Sequence, residues 1–326
     1  MPTRSKGSAG AGAPKAEWAA RSDQPRRSVF RNYAPAGPSN GRRDGDPAAP
    51  SDSANEARSP FSSSAAAREG TRRVADAGLA RTLLHQFLAR AFDDPGIETW
   101  AWLTSTDTHA AVLAAVYSLE PGSPALEISA ATLIARLRRD GFESYQMAYV
   151  TAFGHAARGD CPLNEIEYGD LGADPLFQPH RLADLAAFYR AFGLEVAAAA
   201  AERPDHIGME LEFMSVLAAK EAYARVHGLD EDRCVLCRDA QKKFLREHLG
   251  RWAPAFARRL ARAATDDALA ALAEFMRDFI LAECARFNLP PGSEDLLLRP
   301  VDEAAENLCA SCGLNQLPPG AAAPAM

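Results

Sequence analysis

The stretch from Glu202 to Met214, ERPDHIGMELEFM, places an aspartate next to a histidine among three glutamates. Such a pair can act as general acid and base only in a pocket with a nucleophile or metal within reach. The chain contains no HExxH, GxSxG, P-loop or GxGxxG motif. Neighbouring residues on a helix point about 100° apart, so Asp205 and His206 need not face each other. The residues therefore allow three interpretations: a helix-end acid beside a half-buried histidine that hydrogen-bonds a loop, a binding surface, or a catalytic pair.

Two CxxC pairs, Cys234/Cys237 and Cys309/Cys312, have the residue types of a metal site. Two such pairs can build a tetrahedral zinc site, and an iron–sulfur site is a weaker alternative. The first pair falls at the predicted start of a helix, where the helix dipole is expected to lower the pKa of a thiol. The 71 residues between Cys237 and Cys309 exceed the spacing of a compact zinc ribbon. The alternative is that these cysteines are small apolar residues and one exposed thiol pair.

A third candidate is the segment CPLNEIEYG, residues 161–169, within a long stretch that lacks helical or strand periodicity. Loops of this length are uncommon unless they are functional. Glu165 and Tyr168 supply a carboxylate and an amphipathic ring between Pro162 and Gly169. The loop is expected to line a groove between helices, to hold such a groove in shape, or only to anchor itself.

The segments that position these residues show mainly helical periodicity. Apolar residues recur at intervals of three and four through the segments that begin near residues 74, 124, 180, 207, 231 and 266, which predicts amphipathic helices. Pro204 suits a first helical turn, and Gly228 is expected to end the helix that follows. A helix break is predicted near Pro254. No segment alternates like a strand, so we predict an all-α fold, a single globular bundle of eight to ten helices.

Composition divides the chain into three parts. Residues 1–74 are rich in Ala, Gly, Ser, Pro and Arg and are predicted to be a disordered tail. Residues 75–290 form the predicted helical domain, and residues 291–326 form a C-terminal extension that carries the second CxxC and is expected to be partly disordered. RRSVFRNY in the tail has two arginines like an export signal, but the polar APAGPSNGRRDGD follows it. An export signal needs an apolar segment at that point, so we interpret this match as chance.

Charge and hydropathy narrow the classes of partner. The first 75 residues carry 13 Lys or Arg against 7 Asp or Glu, although the whole chain has a net charge of −7. The helical body is therefore strongly acidic, which argues against nucleic acid and suits a basic partner; acidity for solubility alone is the alternative. No run approaches the roughly 20 apolar residues of a membrane span. The six cysteines fit a reducing compartment, and we expect a cytoplasmic protein without stable membrane insertion.

The order of several motifs resembles a known family. ARTLLHQFLARAFDDP, YVTAFG, CPLNEIEYG, FYRAFG, ERPDHIGMELEFMSVLA and FLREHLGRWAPAFARRL follow one another between about Ala75 and Asn288. This arrangement is similar to that of the redox-enzyme maturation chaperones of the TorD, DmsD and NarJ types. The resemblance implies an all-helical, non-enzymatic protein. It also implies a chaperone that binds the twin-arginine signal peptide, and the unfinished catalytic subunit, of a molybdopterin oxidoreductase and delays export until the cofactor is inserted.

The resemblance also implies which residues bind the peptide or client. Carried over by motif, they are Glu202, Pro204, Asp205, His206, Glu165, Tyr168, Tyr149 and Phe153. Ala152 stands where the family's Y-x-x-L-F element has leucine, and His85 is a weaker candidate at a position where the family often has tyrosine. No cofactor is implied, and a monomer or a domain-swapped dimer is compatible with the family. The competing hypothesis is a helical zinc- or iron–sulfur-binding protein that uses Cys234, Cys237, Cys309 and Cys312 in metal delivery.

Overall fold

The computed structural model describes residues 30–32, 65–119, 122–154, 160–169, 177–197 and 202–299. Within them the elements in chain order are β1 (Phe30–Asn32), α1 (Ala65–Ala91), α2 (Ile97–Leu103), α3 (Thr106–Tyr117), α4 (Pro124–Arg139), α5 (Phe142–Phe153), a 3-10 turn (Glu165–Glu167), α6 (Phe177–Ala191), β2 (Leu194–Val196), α7 (Ile207–Val226), α8 (Glu231–Glu247), α9 (Leu249–Ala263) and α10 (Asp267–Arg286). The predicted all-α class and single bundle are confirmed. None of the helices in these ranges is long and apolar enough to span a bilayer.

The bundle is organised around the pair formed by α1 and α7. A side chain at Gly78 would place its Cβ only 2.9 Å from the Cβ of Ala222, so the two helices can approach this closely only because both residues are small. The hydroxyl of Ser215 donates a hydrogen bond of 3.1 Å to the carbonyl of Thr82 across the same interface. Helices α9 and α10 also pack against each other.

The core of the bundle is largely aromatic. The rings of Tyr189 and Phe213, and those of Phe213 and Phe244, each lie 4.9 Å apart with edges directed at faces. This geometry is the preferred one for aromatic pairs. Fully buried aromatic side chains are Phe87, Phe92, Tyr145, Tyr168, Tyr189, Phe213, Phe244, Trp252, Phe256, Phe275 and Phe279.

Helix boundaries follow local signals at most positions. The side chain of Ser105 caps α3, and that of Asp266 caps α10 by accepting two backbone N–H groups. Helix α7 ends at Val226, and Gly228 follows with a φ of 60°, as predicted. Such a left-handed conformation favours glycine.

The predicted break near Pro254 is wrong. Pro254 lies inside α9, and the break between α8 and α9 falls at His248. A proline inside a helix leaves the carbonyl four residues earlier without its usual partner. Here that carbonyl, on Gly250, accepts the N–H of Gly292 at 2.9 Å, so a segment after α10 compensates for the missing bond.

Two parts of the segment 1–74 have regular structure, contrary to the expected tail. Residues Phe30–Asn32 pair as β1 with β2 in antiparallel orientation, and α1 already begins at Ala65. The strand was missed because three residues are too short for a recognisable period. Phe30 is only 7% exposed. Its ring is a buried large apolar side chain in a segment that is otherwise rich in Ala, Gly, Ser, Pro and Arg.

Candidate functional site

The segment before α7 and the loop at residues 160–169 are joined along their backbones. The N–H of Glu165 donates to the carbonyl of Asp205 at 2.9 Å, and the N–H of Ile207 donates to the carbonyl of Leu163 at 2.8 Å. Residues Asn164 and His206 form an antiparallel bridge between these bonds. We call residues 160–169 and 202–207 together the loop junction, because they form one continuous hydrogen-bonded unit.

The carboxylate of Asp205 lies at the centre of the loop junction and is fully buried. It accepts the backbone N–H of Ile166 at 3.2 Å and the side-chain amide of Asn164 at 3.3 Å. The guanidinium of Arg203 donates to both carboxylate oxygens, at 2.9 and 2.7 Å. The Arg203 side chain is 43% exposed, so this buried acid is connected to the surface by its arginine partner.

His206 is a helix cap rather than a partner of Asp205. Its Nδ1 accepts the N–H of Gly208 at 3.1 Å, and α7 begins at the next residue, Ile207. Pro204 was expected in the first helical turn but lies before this cap, so that expectation is wrong. The carbonyl of Pro204 instead accepts the hydroxyl of Tyr189 at 2.6 Å, which anchors the junction to α6.

Glu165 is the second buried carboxylate of the loop junction. Its oxygens lie 2.9 Å from Nδ1 of His248 and 3.0 Å from Nη2 of both Arg181 and Arg251. Burial alone would raise the pKa of Glu165, but the hydrogen bond and charge of His248 and the charges of the two arginines together hold it below its usual value. The side chains of Arg181 and Arg251 are 17% and 26% exposed. This acid, too, has arginine partners that reach towards solvent.

The aromatic residues that the family resemblance singles out are buried. Tyr168 donates its hydroxyl to the carbonyl of Pro162 at 2.8 Å, which closes the loop on itself. Tyr149 and Phe153 lie on α5 with ring centroids 4.5 Å apart. Phe153 and Tyr168 both contact the ring of Phe256, at 6.2 and 6.4 Å. These residues support the loop junction from the core. Glu202 and Pro204, by contrast, are half-buried at its edge.

Glu210 is a site residue that sequence reasoning did not identify. It is fully buried in α7 and accepts the indole N–H of Trp252 at 3.1 Å. Burial, followed by the negative charge of Glu165, raises the pKa of Glu210 well above its usual value. Among the described residues no lysine or arginine lies within ion-pair distance of it. The neutral acid is therefore favoured here, a property that no local sequence pattern indicates.

His85, the weaker candidate, lies in a different ionic cluster. Arg81 donates to both oxygens of Glu283, its Nε lying 2.6 Å from Oε1, and Glu221 lies 3.9 Å from the same guanidinium. The Nε2 of His85 is 3.7 Å from Glu283. Burial lowers the pKa of His85 to about 4. We call these four residues the inter-helix cluster, because they join α1, α7 and α10.

The first CxxC pair lies on α8 with both thiols buried. Burial raises the pKa of Cys234 and Cys237, so the lowering expected from the helix dipole is wrong. No group of three or more potential metal ligands occurs in the part of the chain that the structure describes. Cys309 and Cys312 lie outside that part, and the four-cysteine metal site stays a prediction.

Comparison with known proteins shows which family the chain resembles. The model of the nitrate reductase delta subunit family matches residues 120–258, a range that contains the whole loop junction. The perchlorate reductase assembly chaperone of Dechloromonas aromatica is 29% identical over 181 residues, which are 55% of this chain and 77% of that relative. These matches support the family that the order of the motifs predicted, the redox-enzyme maturation chaperones. The predicted chaperone role and the absence of an enzymatic role are confirmed at this level.

Two further relatives of the chaperone align over shorter stretches. The selenate reductase assembly chaperone of Thauera selenatis is 35% identical over 36% of this chain and 55% of its own length. The dimethyl sulfide dehydrogenase assembly chaperone of Rhodovulum sulfidophilum is 40% identical over 27% of this chain and 37% of its own length. The names of all three relatives describe assembly of a reductase or a dehydrogenase.

Proposed function

We propose that the chaperone binds, in the cytoplasm, the twin-arginine signal peptide and the unfinished catalytic subunit of a molybdopterin oxidoreductase. It would delay export of that subunit until the cofactor is inserted. The observation that carries the proposal is the pair of fully buried carboxylates at the loop junction, Asp205 and Glu165, whose arginine partners reach solvent. These carboxylates already bind guanidinium groups, the group that a twin-arginine peptide offers.

The geometry at Asp205 fits an exchange of one arginine for another. Arg203 contacts both oxygens side-on through Nε and Nη2, the two-bond arrangement that arginine forms with carboxylates. A buried carboxylate that loses its partner is costly, whereas replacing one guanidinium by another preserves the ion pair. An arginine of a client could therefore take the place of Arg203 with a small change in free energy. Such binding would be reversible, as release of a client requires.

The relatives and the charge of the chain support the class of partner. The three relatives are named for assembly of a perchlorate reductase, a selenate reductase and a dimethyl sulfide dehydrogenase, so we expect a client of related chemistry. The chain has a net charge of −7 although its first 75 residues are basic. An acidic body attracts a cationic peptide and repels nucleic acid.

Calorimetry on the full-length protein tests the role of Asp205. The probe is a synthetic peptide with two consecutive arginines followed by about ten leucine and alanine residues. Asp205→Asn keeps the volume of the side chain and one acceptor oxygen but removes the charge. We expect binding to weaken roughly tenfold, because a hydrogen bond to a charged group contributes about 1.5–3 kcal/mol.

The matched control is Asp267→Asn, which removes an aspartate that also binds an arginine, Arg139, but on the exposed start of α10. This control should bind the peptide like the wild type. Equal affinity of Asp205→Asn and wild type would remove Asp205 from the site. If the wild type binds a peptide whose two arginines are replaced by alanine as tightly as it binds the probe, twin-arginine recognition is refuted. This comparison uses only the wild-type protein, so it does not depend on how Asp205→Asn folds.

A further inference from the structure

Strand β1 comes from the N-terminal segment of the chain but is bound to the helical body. Its backbone pairs with β2 in the register Phe30 with Val196, Arg31 with Glu195 and Asn32 with Leu194. Because β1 and β2 form a two-stranded sheet, β1 covers one edge of β2. An extended segment that adds to a strand edge in this way is a common mode of peptide recognition.

The side chain of Phe30 fills an aromatic pocket next to this edge. Its ring lies 4.8 Å from that of Tyr189, edge to face, and 6.4 Å from that of Phe213. Tyr189 belongs to α6 and Phe213 to α7, and both are almost fully buried. The ring of Phe30 therefore contributes to the burial of these two rings.

The aromatic pocket is directly connected to the loop junction. The hydroxyl of Tyr189, whose ring contacts Phe30, donates to the carbonyl of Pro204 at 2.6 Å. The pocket therefore adjoins the loop junction, which contains the two carboxylates of the proposed site, Asp205 and Glu165.

The segment that occupies this pocket has the chemistry of a client peptide. RRSVFRNY contains two consecutive arginines before Phe30 and a third arginine directly after it. The motif combines basic residues with an aromatic residue, and acidic groups beside an apolar pocket favour a peptide of that composition. The chain thus carries its own competitor for the site.

We propose that the edge of β2 and the pocket of Tyr189 and Phe213 are a docking site for an extended, arginine-bearing peptide. In the free chaperone the resident occupant is Phe30–Asn32, and a client peptide displaces it. This inference rests on the function proposed above and adds a regulatory step to it. The apparent affinity for a client is then the intrinsic affinity multiplied by the fraction of molecules in which the site is open.

Full-length Phe30→Ala tests the competition with the same twin-arginine probe. Removing the ring weakens the resident segment but leaves the pocket intact. We expect the probe to bind about tenfold more tightly, the factor that applies when one molecule in ten is open in the wild type. Phe61→Ala, which removes another aromatic residue of the N-terminal region, is the matched control and should bind like the wild type.

A fluorine label on Phe30 in the otherwise unchanged chain provides a second measurement. Its NMR signal should report a buried ring in the free protein and shift to the position of a solvent-exposed ring as the probe saturates the site. A signal that does not move at saturation, or equal affinity of Phe30→Ala and wild type, would overturn the competition while leaving the proposed function intact. Absence of probe binding in both proteins would instead reject the proposed function, and the docking site with it.

Discussion

The inter-helix cluster and the loop junction contain the same chemical groups in different surroundings. In the inter-helix cluster, Arg81 and Glu283 come from regular helices and both side chains are almost completely buried. The burial penalty on the carboxylate is overcome by the charge and hydrogen bonds of Arg81, which hold the pKa of Glu283 below its usual value. Neither side chain of the Arg81–Glu283 pair is accessible to a partner.

At the loop junction the two acids are buried, whereas their arginine partners are partly exposed. Asp205 and Glu165 have no exposed side-chain surface, but Arg203 is 43% exposed and Arg251 is 26% exposed. The acids lie on backbone segments joined by loop hydrogen bonds rather than on the middle of a helix. The two regions therefore differ in the exposure of the cation, and the exchange proposed at the loop junction depends on that exposure.

The largest effect is expected at the inter-helix cluster. Glu283→Ala leaves the guanidinium of Arg81 buried without its main partner and should lower the free energy of unfolding by about 3–5 kcal/mol. Urea denaturation of the variant and the wild type measures this change in the free energy of unfolding. Glu274→Ala on the same helix removes an exposed partner of Arg277 and should cost at most about 1 kcal/mol. If Glu283→Ala lowers the free energy of unfolding by no more than about 1 kcal/mol, as expected for Glu274→Ala, the structural role of the cluster is contradicted.

A pH-dependent effect on stability is expected at Glu210, which lies next to the loop junction. Among the described residues, no lysine or arginine lies within ion-pair distance of this acid. Its pKa is raised in the folded protein, so the folded state binds more protons than the unfolded state. Its contribution to stability is then complete below the usual pKa of glutamate, about 4.3, and declines as the pH rises through the folded-state pKa. Glu210→Gln should therefore raise the free energy of unfolding by about 1 kcal/mol at pH 8.

At pH 5 the same substitution should change the stability little, because the wild-type side chain is then neutral. Thermal and urea unfolding at the two pH values provide the measurement. Glu231→Gln, an exposed glutamate at the start of α8, serves as control and should show no such difference. An equal effect of Glu210→Gln at both pH values would mean that Glu210 is not protonated inside the protein.

The smallest effect on stability is expected for the exchangeable cation. Arg203→Ala should lower the free energy of unfolding by only about 1 kcal/mol, because Asp205 keeps its hydrogen bonds from Ile166 and Asn164 and water can replace the partly exposed guanidinium. The twin-arginine probe should raise the melting temperature of this variant more than that of the wild type, since its arginine replaces the missing one. Arg139→Ala, which removes an exposed partner of Asp267, should show no extra gain. An identical shift in all three proteins would mean that Arg203 and the probe do not share a site.

Local signals in the chain were sufficient for much of the fold and for the family. The spacing of Ile207, Leu211 and Met214 predicted the buried face of α7, and all three are fully buried. Gly228 marked its end. Periodicity and capping act over a few residues and can be read without knowledge of distant partners. The order of the motifs likewise predicted the chaperone family before any geometry was available.

Only the tertiary structure decided what the carboxylates do. The bond between Asp205 and Ile166 joins residues 39 positions apart, and the pairing of Phe30 with Tyr189 spans a longer separation. Neither contact leaves a periodic signature, and the expected surface role of Asp205 gave no indication that its carboxylate is buried. The protonated state favoured at Glu210 also depends on burial and on Glu165, a charge supplied by a distant loop. The sequence alone determined the helices and the family resemblance, whereas long-range packing determined which acids are buried and which of their arginine partners reach solvent.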